Sequence, residues 1–322
     1  MMPAGNSRAL PSGNVREIWA IAALLVGLAP TIAPGCGLCA ARFCAAHPGK
    51  STRDRCRRWP GGRGFAKPMK KEVPMTEPSF LVTPEGRRIA YRLTDGEGPA
   101  VVFCGGFKSD MEGTKALHLQ AWAERTGRAF LRFDYSGHGQ SEGAFLDGSI
   151  GDWFEDARAV CGLLAGPLLL VGSSMGGWIS LLLAREMGTR VAGLVGIAAA
   201  PDFTEDSMWG GFNAAQREAL QRAGQVILPS DYSEEPYIIT RRLIEEGRRR
   251  LVLRDPLELG FPVRLLQGTA DVDVPPSVAL RLLDHATGPD IRLTLVKGAD
   301  HRFSTPDCLR MIEQAVEELL AR

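Results

Sequence analysis

From Met75 onward, hydrophobic positions fall into short apolar or alternating runs, separated by longer stretches with helical spacing. The runs Phe80 to Val82, Arg88 to Leu93, Ala100 to Cys104, Phe130 to Tyr135, Leu168 to Gly172, Val191 to Ile197, Val263 to Gln267 and Ile291 to Val296 predict eight strands. Between the later ones, Thr114 to Glu124, Trp153 to Leu164, Trp178 to Glu186, Val278 to Leu283 and Asp307 to Leu320 predict amphipathic helices. Strands alternating with helices imply an α/β fold on a doubly wound, mostly parallel eight-stranded sheet. Ligands bind such sheets at the C-terminal ends of the strands.

One segment breaks the alternation. Asp202 to Phe261 is polar and shows no clear strand, but has helix-like pieces at Ala214 to Ala223 and Tyr237 to Arg250. It predicts a small helical cap, at about residues 202–261, between the sixth and seventh strands. Its aromatics Trp209, Phe212 and Tyr237 are candidates to line a pocket beneath it, with packing of the cap onto the core as the competing role.

The fifth strand run passes through Gly172-Ser173-Ser174-Met175-Gly176 into a helical stretch, a G-x-S-x-G pattern in strand, turn, helix context. Gly172 and Gly176 let the backbone turn sharply around Ser174 and present its hydroxyl at the strand's C-terminal edge. A helix cap would explain the small residues but not the buried strand that enters the turn.

A serine hydroxyl attacks only when a base takes its proton, and the chain has five histidines. His47, His118 and His138 precede the elbow, and His285 lies in a helix-like stretch. His301 follows the alternating strand Ile291 to Val296 and the turn Lys297-Gly298-Ala299-Asp300, the position expected of the base. The orienting acid belongs after the preceding strand, which selects Asp271, with Asp273 and Asp202 as competitors. Two backbone amides complete the chemistry by stabilising a developing oxyanion: that of Met175, and that of Phe107 after Gly105-Gly106 at the end of the third strand.

Gly113-Thr114-Lys115-Ala116-Leu117, Arg132-Phe133-Asp134-Tyr135-Ser136-Gly137, Val171 to Trp178, Tyr232-Ser233-Glu234-Glu235 and Asp300-His301-Arg302 stand in an order that resembles one branch of the α/β-hydrolases, the palmitoyl-protein thioesterases also described as acyl-glucuronide esterases. The resemblance runs from about Pro84 to the C-terminus. It places that family's nucleophile, acid and base on Ser174, Asp271 and His301. It implies hydrolysis of S-acylated protein cysteines and of acyl glucuronides through an acyl-enzyme, with no metal and no cofactor. The turn Asp134 to Gly139, with His138, reads as structural. A general small-ester carboxylesterase or a serine peptidase is the alternative activity, and a non-enzymatic binding protein the alternative class.

Charge separates residues 1–74 from the rest. They carry 12 Lys and Arg against three acidic residues, a net of +9, while residues 75–322 carry 26 against 34, a net of −8. The acidic balance of the larger part excludes nucleic acid as the expected partner and leaves an acylated protein or a small acyl ester. Residues 1–74 read as a disordered basic extension whose apolar run, Ile18 to Ala29, is too short to span a membrane. Its sources are an early start, which is favoured because Met75 leads straight into the first strand, a secretory signal, or a mitochondrial transit segment. Cys36-Gly37-Leu38-Cys39 lacks a second pair at zinc spacing. Cys104, Cys161 and Cys308 form no even set, which predicts a reducing compartment, the cytoplasm, or mitochondria if the extension is a transit segment.

Overall fold

In the computed structural model, residues 77–228 and 236–321 are described. The basic extension with Cys36, Cys39 and His47, and the motif Tyr232 to Glu235, lie outside the described residues. All eight runs read as strands join one sheet: β1 (Ser79–Val82), β2 (Arg88–Thr94), β3 (Glu97–Cys104), β4 (Arg128–Phe133), β5 (Leu168–Ser173), β6 (Val191–Ile197), β7 (Val263–Gly268) and β8 (Ile291–Val296). Their spatial order is β1-β2-β4-β3-β5-β6-β7-β8. The β1/β2 and β2/β4 pairs are antiparallel, and every other pair is parallel.

Alternation along single strands supplies both sides of this sheet with apolar surface. In β3, Ala100, Val102 and Cys104 join one buried cluster, and Val101 and Phe103 join the other. Leu168 and Leu170 of β5 go with the first, Leu169 and Val171 with the second. Helices α1 (Thr114–Thr126) and α7 (Pro306–Leu320) cover the second side with Leu119, Trp122, Ile312 and Val316. Helices α2 (Ile150–Cys161) and α3 (Met175–Met187) cover the first with Trp153, Val160, Ile179 and Leu183. Ser149 starts α2 by accepting the Asp152 amide.

Chain order and spatial order diverge at β3. The connection from β3 leads to β4 on one side, and the next one crosses back to β5 on the other. The strand order therefore reverses between β3 and β5, the kind of switch point at which doubly wound sheets bind ligands.

The segment between β6 and β7 differs from the helical cap read from the sequence. It holds a π-helical turn (Thr204–Trp209) and α4 (Ala214–Ala223), then a two-stranded antiparallel ribbon of Gln225–Leu228 with Tyr237–Thr240, and α5 (Arg241–Arg248). The helix expected from Tyr237 begins four residues later because Tyr-Ile-Ile-Thr favours an extended backbone. Thr240 then caps α5, its Oγ1 accepting the Leu243 amide at 3.1 Å. Downstream lies α6 (Pro276–His285), with a short parallel bridge between Leu257–Glu258 and Ala286–Thr287.

Asp202 fastens the two ends of this cap. It is fully buried, at φ +59°, and its carboxylate accepts the amides of Val252 (2.8 Å) and Leu253 (3.0 Å) and the guanidinium of Arg254 (3.1 Å). The Trp178 indole adds a second tie by donating to the Arg250 carbonyl at 3.0 Å. The Asp202→Ala variant leaves two buried amides without an acceptor, so we expect urea unfolding to show a loss of about 3 kcal/mol.

In the turn after β4, His138 is buried edge-on against Tyr135, Phe145 and Trp153. Its Nδ1 lies 3.2 Å from the Ser136 carbonyl, which can only accept, so that nitrogen carries the proton. Burial lowers the imidazole pKa to about 4. The unfolded chain takes up a proton below about 6.5 and the folded one only near 4, so His138 costs stability progressively as pH falls between those values. Asp134, pushed up to about 6 by burial, acts with the opposite sign over an overlapping range. The comparison with His138→Leu isolates the histidine. In denaturant titrations the variant should gain on the wild type by on the order of 3 kcal/mol between pH 7 and pH 4, while a constant difference would mean that His138 titrates normally.

Candidate active site

Ser174 joins β5 to α3 in a backbone conformation that serine rarely adopts, φ +55° and ψ −119°. Three backbone hydrogen bonds hold it there. Its amide donates to the Ile197 carbonyl (2.9 Å), and its carbonyl accepts from Gly177 (2.9 Å) and Ala200 (3.0 Å). The glycines around it are set by crowding: a Cβ on Gly172 would strike the Gly176 carbonyl, and one on Gly176 would strike the carbonyls of Cys104 and Gly105. Gly177 is confined in the same way by Ala199.

The turn brings the Ser174 hydroxyl to His301. Ser174 Oγ lies 3.1 Å from His301 Nε2, and His301 Nδ1 lies 2.9 Å from Asp271 Oδ2. The carboxyl side chain of Asp271 is fully buried and saturated. Oδ1 accepts the amides of Asp273 (3.0 Å) and Val274 (2.8 Å), and Oδ2 also accepts Gln267 Nε2 (3.0 Å). With its own lone pairs filled, the carboxylate has one geometry in which to meet the imidazole.

The loops that carry Asp271 and His301 are joined along their length. Thr269 donates to the Val296 carbonyl, Ala270 to Ala299, and Gly298 to Thr269 Oγ1. Gly268 passes so close to the Ala299 carbonyl that no Cβ would fit. On the far side of His301, Lys115 Nζ donates to the Arg302 carbonyl at 2.6 Å.

The loop after β3 closes the site from the opposite side. A Cβ placed on Gly106 would lie 3.5 Å from the Ser174 Cβ, which puts Phe107 beside the serine. The Met175 amide, first in α3, has no acceptor within its helix. Phe107 makes no amide hydrogen bond to a protein acceptor among the described residues. The end of β4 and the turn read as structural hold this loop: Asp134 Oδ1 accepts the Met111 amide and Arg132 Nη1 donates to the Met111 carbonyl, both at 2.6 Å.

The competing residues are engaged elsewhere. The Asp202 carboxylate serves the cap, His118 meets Glu313 (2.9 Å), and His285 meets the Asp255 carbonyl (2.8 Å). Asp273 lies close to the pair, all three side chains offering ligand atoms within 4.8 Å of one another, but Asp271 makes the hydrogen bond to His301.

Of the three aromatics read as pocket residues, Tyr237 reaches the site, its ring 6.3 Å from that of Phe107. Trp209 pairs with Phe212 and lies against the guanidinium groups of Arg217 and Arg248. Sequence reasoning missed the other rings around Phe107: Phe145 at 4.9 Å, Phe203 at 5.8 Å and Trp153 at 5.9 Å. It also missed Gln267, whose signal was an amide at the buried end of a strand in which Arg264 is the other polar residue.

Positioned in this way, a hydroxyl, an imidazole and a buried carboxylate can move a proton along one line. The family model described as "Serine aminopeptidase, S33" matches residues 98–257. The chain is 34% identical over 244 residues to the rat "Palmitoyl-protein thioesterase ABHD10, mitochondrial", covering 75% of this chain and 82% of that one. Among solved structures, a putative hydrolase from Agrobacterium vitis S4 is 40% identical with a TM-score of 0.73, covering 76% of this chain and 98% of its own. The mouse α/β-hydrolase domain-containing protein 10 is 32% identical with a TM-score of 0.72, covering 76% and 99%. Sequence, sheet topology and these likenesses together make the chain a member of the α/β-hydrolase family, related to the ABHD10 thioesterases.

Proposed function

We propose that the protein hydrolyses carboxylic esters and thioesters through an acyl-enzyme formed on Ser174. The observation that carries this reading is the unbroken chain from Ser174 Oγ through His301 to Asp271, at 3.1 and 2.9 Å. His301 Nε2 takes the hydroxyl proton as Oγ attacks the acyl carbon, and Asp271 stabilises the imidazolium through Nδ1. The oxyanion faces the amides of Phe107 and Met175, each such donor being worth about 3 kcal/mol of barrier. His301 then returns its proton to the departing alcohol or thiol, and water repeats the sequence on the acyl-serine.

Four aromatic rings pack against Phe107, the residue beside the serine. The leaving group must face His301 to receive its proton, so the acyl group runs along the Phe107 side, where the rings of Phe203 and Tyr237 converge. These rings support a small-ester esterase as the main activity. Identity to the ABHD10 thioesterases favours long S-acyl groups on protein cysteines as the second reading. The mitochondrial designation of those relatives favours a transit role for residues 1–74 and lends no support to a cytoplasmic location.

Steady-state kinetics on the full chain tests both readings, with p-nitrophenyl esters of increasing chain length, an S-palmitoyl peptide and an acyl glucuronide. We expect kcat/KM to be highest on the short esters; a maximum on the palmitoyl peptide would replace that reading with the second. Ser174→Ala should lower kcat by about 10⁵-fold or more with an unchanged melting temperature, and Asp271→Asn by about 10³- to 10⁴-fold. Turnover that survives Ser174→Ala would remove the serine from the mechanism.

A further inference from the structure

Lys108 is the residue immediately after the proposed oxyanion donor Phe107, and the mechanism above does not use it. Its backbone is left-handed, φ +59°, a conformation that strains a lysine and that persists only where the surroundings impose it. Its side chain is exposed, and its ammonium lies 4.8 Å from the ring centre of Tyr237 and 5.4 Å from that of Phe145. Those two rings belong to separate elements, the cap ribbon and the 3₁₀ turn Phe145–Asp147, and both lie against Phe107. No carboxylate among the described residues pairs with Lys108, although most of the other cations near the cap, Arg242, Arg248, Arg254 and Arg281, each hold an acidic partner.

From this placement we propose that Lys108 is a specificity residue that binds a carboxylate at the far end of the acyl group, so that the preferred substrates are esters or thioesters of short dicarboxylic acids. The inference rests on the Ser174 reading and names its substrate class. The acyl group leaves Ser174 along the aromatic rings, and the rim of those rings carries a cation that no carboxylate of the described residues pairs. An apolar methylene segment of a few carbons packs against Phe107 and Tyr237, and the terminal carboxylate meets the ammonium where the rings end. The π faces hold the ammonium in place before substrate arrives, which lowers the ordering cost of the contact. No bond is made or broken at Lys108. It contributes binding that a neutral acyl chain of equal length does not receive.

The test compares mono-p-nitrophenyl adipate with p-nitrophenyl hexanoate, which differ by the terminal carboxylate, on the full chain. The wild type should favour the adipate monoester in kcat/KM, and the preference should shrink as salt rises from about 0.02 M to about 0.5 M. Lys108→Met, which keeps the stem over the rings and removes the charge, should lower the adipate-to-hexanoate ratio about fivefold and abolish its salt dependence. Lys108→Arg should retain both. A wild-type preference for the hexanoate, or a Lys108→Met variant that loses both activities in equal proportion, would overturn the proposal, the latter by showing that Lys108 merely straps the cap to the loop. Loss of both activities in Ser174→Ala with no change of ratio in Lys108→Met would leave the serine mechanism standing and remove only this inference.

Discussion

The strained turn at Ser174 is the constraint from which the rest of the site follows. A non-glycine residue at φ +55° costs on the order of 1–3 kcal/mol, and it is stable only because its neighbours leave it no alternative. Three backbone hydrogen bonds from β6, α3 and Ala200 fix it, and the carbonyls of Cys104 and Gly105 press against Gly176 so that α3 starts directly under the loop from β3. One backbone geometry therefore joins β5 to α3 at the serine, sets its hydroxyl beside His301 and leaves room for the loop from β3 alongside.

Everything else in the site is held at strand ends, where rigidity comes from the sheet. β7 and β8 run parallel from Val263↔Ile291 to Gly268↔Val296, and their loops continue the pairing past the last register position. That continuation carries Asp271 and His301 into hydrogen-bonding distance although 30 residues separate them in sequence. On the opposite flank, Arg132 and Asp134 grip the two sides of Met111 and so fix the loop that supplies Phe107. The cap is attached by different devices, Asp202 and Trp178 at its far end and, just after its ribbon, Arg242, whose guanidinium donates to the Asp147 carbonyl and the Asp152 carboxylate.

The sheet was legible in the sequence because buried parallel strands leave continuous apolar runs, and Leu168 to Val171 or Val191 to Ile197 have few other readings. The serine, imidazole and carboxylate were legible because each sits just after such a run, at an address that strand order dictates. The cap was less legible. Tyr237 to Thr240 is four residues long and next to a strongly amphipathic helix, so periodicity merged the two, and only pairing with Gln225 to Leu228 defines the strand. Of the aromatic surroundings of Phe107, Tyr237 alone was legible. Phe145, Trp153 and Phe203 come from three separate stretches, and only the closed fold puts them together. Asp202, weighed as a catalytic acid because it follows a strand, proved to be the fastener of the cap, a role that depends on residues 50 positions away.

Covalent trapping tests the central claim most directly. A fluorophosphonate transfers its phosphonyl group only to a serine whose hydroxyl has an adjacent base and an oxyanion site, and peptide mass spectrometry then locates the adduct. We expect one equivalent of label on Ser174, none on the neighbouring Ser173, and loss of labelling in His301→Ala with the fold preserved. Labelling at another serine, or ester turnover by a protein that the reagent leaves unmodified, would contradict it.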